Sequence, residues 1–295
     1  MARNALTIRE MGENVCWMLV KQAMGIPDAK MPSDFMRDKV ALLLFARSSL
    51  PERLCTTAAV RQMGGSTIYQ GGEGPQWRDE ARSFQTHLFP ILGYFLDCLY
   101  LYGFPTYRVD SHGVGSNFPL INAGCNDAHP AHALADLACM LRITKDLHGV
   151  KAAWIGCANG TLHSLIESTL WFPFDLSISL PPRENDPRLE ARARELGTPV
   201  RFFATPEEAV SGAQFVFAGR RPQEPTVENA AWSVTRDLFS HADREARLLL
   251  SATPLRAIPV APELMSGKRS MLVRQAEYRL CVHKRILHWV FSASA

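Results

Sequence analysis

The chain alternates short apolar runs with longer stretches in which apolar residues recur at helical spacing. Segments at 40–45, 66–69, 96–102 and 119–122 read as strands. After a helical stretch they are followed by runs at 150–157, 175–180, 200–203, 214–218 and 247–251. Near-continuous apolar runs suit strands covered on both faces, and helical crossovers between such strands imply parallel pairing. The class is therefore α/β, with two sheets of about four or five strands each. A helix at 130–147 opens after Asp127, closes near His148-Gly149 and leads from the first sheet to the second. A last helix at 271–291 carries an apolar face too long to stand free of a core. Pro181-Pro182 and the stretch 221–225 mark loops, and no internal repeat or biased segment interrupts the pattern.

Composition adds limits to this picture. A chain of 295 residues that is 47% apolar and 21% charged is neither disordered nor fibrous, and it has room for two domains with cores of their own. Its net charge of +3 comes from 32 basic and 29 acidic residues with no basic cluster, which argues against nucleic acid as a partner. The longest apolar stretch, 88–104, is broken by Gly93 and Asp97 and falls short of a membrane span. Arg9, Glu10 and Glu13 leave no apolar signal core near the start. Seven scattered cysteines without a CxxC pair read as reduced, mostly buried thiols, so a cytoplasmic protein with no membrane partner is expected.

Three motifs carry the chemistry. The first is Ile121-Asn122-Ala123-Gly124 followed by His129-Pro130-Ala131-His132 and Leu134-Ala135-Asp136-Leu137. The second is Trp154-Ile155-Gly156 followed by Thr161-Leu162-His163-Ser164-Leu165, and the third is Arg274-Gln275-Ala276-Glu277-Tyr278-Arg279. In order and spacing this series resembles the aspartate and ornithine carbamoyltransferases, whose central signature is His-Pro-x-Gln before a Leu-x-Asp-Leu helix. The resemblance implies two doubly wound parallel-sheet domains joined by interdomain helices, with an active site in the cleft and no cofactor. Residues 1–147 with 273–295 would form the carbamoyl-phosphate-type domain, and residues 148–272 the amino-acid-binding-type domain. It further implies a catalytic homotrimer. Arg221-Pro222-Gln223 is similar to the aspartate branch and Glu277-Tyr278-Arg279 to the ornithine branch, so neither branch is assigned.

Against that family pattern the substitutions are informative. The family's phosphate cradle, Ser-Thr-Arg-Thr-Arg at a helix start, reads Ser49-Leu50-Pro51-Glu52-Arg53 here. Leu50 has no hydroxyl, Pro51 has no N–H or charge, and Glu52 places an anion where a phosphate would sit. At 4 Å that repulsion amounts to about 1–4 kcal/mol for effective dielectrics of ~80 to ~20. Ser49-x-x-Glu52 instead has the spacing of a capping box, with Pro51 suited to a first helical turn. Tyr102 stands where the family's next phosphate-contacting arginine belongs, and His132 replaces the glutamine. His129, which in the family polarises the carbamoyl oxygen, is kept, and a histidine can donate a proton near neutral pH. The second domain's His-x-Leu-Pro loop reads Ser251-Ala252-Thr253-Pro254-Leu255.

The candidate site is therefore His129 as acid or electrophile, with Ser49, Arg53, His132, Asn159, Arg221, Gln223, Gln275 and Arg279 as substrate-binding residues. Arg220 or Arg221 with Gln223 would clamp a carboxylate. His129-x-x-His132 offers two imidazoles one helical turn apart, but no third ligand converges, so no metal is expected. Gly71-Gly72-Glu73-Gly74 lacks the Lys-Ser/Thr of a phosphate loop and reads as a flexible loop, the resemblance likening it to one that reaches a neighbouring subunit. Two functions fit these residues. One is a diverged enzyme acting on a small amino-acid-like carboxylate by chemistry other than carbamoyl phosphate transfer, as in specialised metabolism. The other is an inactive homologue serving as a binding or partner subunit, for which Glu52 should be paired with an arginine.

Overall fold

The structure, a computed structural model, describes residues 2–25, 34–71, 89–106, 117–182, 187–220, 231–251 and 259–292. The strands are β1 (Val40–Phe45), β2 (Ser66–Gly71), β3 (Cys98–Tyr102), β4 (Leu120–Asn122), β5 (Val150–Ile155), β6 (Phe174–Ser179), β7 (Val200–Phe202), β8 (Phe215–Ala218) and β9 (Arg247–Leu250). The helices are α1 (Ile8–Met11), α2 (Glu13–Met24), α3 (Leu50–Gln62), α4 (Phe89–Leu92), α5 (Pro130–Thr144) and α6 (Gly160–Ser168). They continue with α7 (Pro187–Glu195), α8 (Pro206–Val210), α9 (Arg236–Ser240), α10 (Pro262–Met265) and α11 (Leu272–Phe291). Two compact units result: residues 1–135 with 278–295, and residues 136–277. The chain leaves the first unit within α5 and re-enters it within α11.

The first unit holds a four-stranded sheet in the order β2-β1-β3-β4, parallel throughout. Leu42, Leu44, Leu99, Leu101 and Leu120 form an apolar cluster with Leu92, Phe104 and Phe118. The alternate residues Leu43, Phe45, Tyr100 and Tyr102 stand in register with one another on the opposite face. β3 starts two residues later than its apolar run predicts. The Asp97 side chain accepts the Val40 N–H at 2.8 Å and lies 3.5 Å from the Lys39 ammonium, so it closes the sheet's amino end instead of extending a strand. β2 is an edge strand and largely exposed, unlike the covered central strands.

The second unit holds a five-stranded sheet in the order β7-β6-β5-β8-β9, again parallel throughout. Ala153, Ile155, Val216, Ala218, Leu248 and Leu250 pack with Val210, Trp232, Val234 and Phe239. β5 stops at Ile155 instead of 157 because Gly156 has a φ of +112°, and a Cβ there would come within 3.1 Å of the Gly219 backbone. α5 likewise stops at Thr144, ahead of Lys145 in the left-handed region at φ +68°. The α/β class and the two parallel sheets of four and five strands agree with the sequence reading. Among the described residues, no helix is long and apolar enough to cross a membrane.

Candidate active site

In the first unit the candidate residues gather at the carboxyl end of the sheet. The loop after β4 is held by Asn122. Its Oδ1 accepts the Gly124 and Cys125 N–H groups at 2.8 and 2.7 Å, and its amide nitrogen donates to the carbonyls of Leu6 and Ala128. All the polar capacity of a fully buried side chain is thereby used, and the loop delivers His129 to the start of α5. Gly124, at φ +131°, is required there. A Cβ would lie 2.8 Å from the Tyr102 ring and 3.2 Å from His129 Cε1.

The start of α3 departs from the capping box. Ser49 occupies the N-cap, yet its hydroxyl makes no capping hydrogen bond and is buried with no partner among the described residues. Glu52, only 3% exposed, turns inward: Oε1 accepts from Arg279 Nη1 at 2.9 Å and Oε2 lies 3.8 Å from His129 Nε2. A buried guanidinium needs a counter-charge, and a charge-assisted bond of this kind outweighs a backbone cap at a half-exposed helix end. Glu52 is therefore the partner of Arg279 and does not complete a box with Ser49.

His129 is 8% exposed and stays neutral. Burial, then the positive charges of Arg279 and Arg47, push its pKa down to about 3. That corrects the expectation of a proton donor near neutral pH: as an unprotonated imidazole it can polarise or orient, but it does not carry an acidic proton. His132, 2% exposed, meets it edge-on with ring centroids 5.1 Å apart. Behind them His283 is fully buried against Tyr100, centroids 5.7 Å apart, and burial lowers its pKa to about 4. Arg53 does not join this group. It is exposed and lies over the Tyr69 ring, 4.8 Å from its centroid.

In the second unit two amides proposed for substrate are committed to the fold. Asn159 caps α6, accepting the Thr161 and Leu162 N–H groups at 2.9 and 3.2 Å, and its amide nitrogen reaches Ser251 O and Oγ. Gln275 grips the end of β9, accepting the Leu250 N–H at 2.9 Å and donating to the Leu250 carbonyl at 3.0 Å and to Asp136 at 2.7 Å. Arg220 bridges to Cys157 through its backbone, while Arg221, Gln223 and the 252–255 loop lie outside the described residues, as does most of the 71–74 glycine stretch. Among the described residues no group of three or more His, Cys, Asp or Glu side chains could hold a metal ion. None of the seven cysteines forms a disulfide, and six are buried.

Comparison with known proteins then fixes the lineage. A model described as aspartate/ornithine carbamoyltransferase, carbamoyl-P binding domain, matches residues 3–142. A second, the Asp/Orn binding domain of the same family, matches residues 148–290. The chain belongs to the aspartate/ornithine carbamoyltransferase family. Ornithine carbamoyltransferase from Nitratidesulfovibrio vulgaris is 29% identical over 99% of this chain and 100% of its own length. That of Bacillus subtilis is 28% identical over 97% and 92%. Among solved structures, ornithine carbamoyltransferase from Gloeobacter violaceus superposes with a TM-score of 0.79 at 26% identity, covering 97% of each chain. The Thermus thermophilus structure reaches 0.83 at 24% identity, covering 98% of this chain and 99% of that one.

For a member of this family, two residues at the site escaped the sequence reading. The resemblance identified Tyr102 only as a missing arginine. In the structure its ring stacks on Phe45, centroids 4.9 Å apart, and the Arg47 guanidinium lies 5.4 Å above it. The signal for Arg47 was present in its place two residues beyond β1, at the carboxyl end of the sheet.

Proposed function

We propose that this protein binds a small amino-acid-like carboxylate and does not transfer a carbamoyl group from carbamoyl phosphate. The observation that carries the reading is the buried Glu52–Arg279 pair at 2.9 Å. A guanidinium that would attract a ligand's phosphate already has a carboxylate of the chain's own, and a second anion beside Glu52 meets repulsion in a desolvated setting. Pro51 and Tyr102 supply no positive charge where the resemblance places arginines, and Arg53 is engaged with Tyr69. The amino-acid half of the reading is supported by the match of residues 148–290 to the family's Asp/Orn binding domain. His129, neutral, would act as a hydrogen-bonding electrophile on the ligand.

The same pair favours a second reading, a catalytically silent subunit that binds a partner chain, because an arginine whose charge is neutralised from within needs no anionic ligand. A homotrimer, as the family resemblance implies, is part of either proposal and is checked by sedimentation equilibrium.

Thermal unfolding with and without carbamoyl phosphate, then with a panel of amino acids and dicarboxylates, tests these readings. A ligand at ~100 times its Kd stabilises the native state by about 2.7 kcal/mol and raises the melting point measurably. No shift with carbamoyl phosphate and a shift with an amino acid is the expected result. A clear shift with carbamoyl phosphate overturns the proposal, and silence across the panel selects the partner subunit.

A further inference from the structure

We infer that Arg47 is the anchor for a single carboxylate group of this protein's ligand, at the carboxyl ends of β1 and β3. The inference rests on the proposed amino-acid-like ligand and names where in the first unit its carboxylate is held.

The placement comes from topology. In the order β2-β1-β3-β4 the chain leaves β1 toward β2 on one side and later adds β3 on the other, so the strand order reverses between β1 and β3. Open parallel sheets bind ligands in the crevice outside that reversal. Arg47 follows β1 by two residues and Tyr102 ends β3, so both stand at its rim.

The geometry prepares the arginine for a carboxylate. Its guanidinium lies over the Tyr102 ring, 5.4 Å from the centroid, and the ring is backed by Phe45. A guanidinium held over an aromatic ring by cation–π attraction keeps N–H groups available for two parallel bonds to a carboxylate. Gly103, at φ +80°, allows the approach: a Cβ there would come within 2.9 Å of Arg47 Cγ. Arg47 is exposed, and among the described residues it makes no ion pair.

Charge counting selects the class of anion. Among the described groups that bear on His129, Glu52 and Arg279 are paired with each other, which leaves Arg47 uncompensated. A net charge of one matches a monoanion, whereas a phosphate dianion would be left half-compensated beside Glu52. The Tyr102 and His129 rings both border Gly124, where a Cβ would come within 2.8 Å of the one and 3.2 Å of the other, so a carboxylate on Arg47 would be reported by both neighbours.

The test is an NMR titration of the arginine Nε–Hε and histidine ring signals in the full chain, with sodium acetate and, separately, with inorganic phosphate at matched ionic strength. Acetate is expected to shift the Arg47 and His129 signals saturably. The His129 response should be lost in Arg47→Met and weakened at least tenfold in affinity in Arg47→Lys, with the melting points of both variants unchanged. An Arg47 signal indifferent to acetate, a response to phosphate as strong as to acetate, or an Arg47→Met protein whose His129 still responds would each overturn the inference. These failures leave the proposed function standing, because that reading fails on a different measurement, stabilisation by carbamoyl phosphate.

Discussion

Lowering the pH should destabilise this protein steeply, through two histidines that the fold keeps neutral. Burial pushes His129 down to about 3 and His283 down to about 4. In the unfolded chain each would titrate near ~6.5. The folded values lie below the unfolded ones, so below about pH 6.5 the unfolded chain takes up protons that the native state refuses. Stability is complete above that pH and falls as acid is added, until the folded values are reached. Each histidine approaches a slope of about 1.4 kcal/mol per pH unit, so together they remove about 4 kcal/mol between neutral pH and about pH 5. Against a typical total of about 5–15 kcal/mol that is a large share. Urea unfolding of the wild type and of His283→Phe, which keeps a ring against Tyr100, separates this term from surface carboxylates if measurements stay above about pH 5. The variant should lose about half of the wild-type slope. Identical slopes in the two proteins would refute the argument, because His283 would then be titrating as freely in the native state as in the unfolded one.

Two further outcomes follow from the packing. Arg279→Met leaves Glu52 a buried, unpaired charge and should cost about 3–5 kcal/mol, while Glu52→Leu combined with Arg279→Met should recover most of it. Urea unfolding of the two proteins measures the difference, and a double variant as weak as the single one contradicts the pairing. Gln275→Leu strips the Leu250 N–H and carbonyl of their partners at the end of β9, and should lower stability by about 2–4 kcal/mol, read as a lower midpoint in the same assay.

The fold was legible because its signal is repeated: most of the nine described strands announce themselves by apolar residues, the exposed edge strand β2 least of all, and a run misjudged by two residues leaves the sheet unchanged. The site was less legible, and Glu52 shows why. Ser49-x-x-Glu52 satisfies a rule about spacing, and within four residues nothing contradicts a capping box. The partner that takes the carboxylate is Arg279, 227 positions away, and the strength of that attraction depends on both groups being buried. Asn159 and Gln275 mislead differently. An amide serves a backbone as well as a substrate, and only the structure shows their bonds already committed to α6 and β9. Arg47 was overlooked because its meaning lies across the sheet, where Phe45 is in register with Tyr102. What the motif did preserve is His129, and its setting was not legible from the motif: Glu52 Oε2 lies 3.8 Å from its Nε2 and the same carboxylate is paired with Arg279. A retained residue type therefore marks only where to look, and on the proposed reading it is the charges around it that select the ligand.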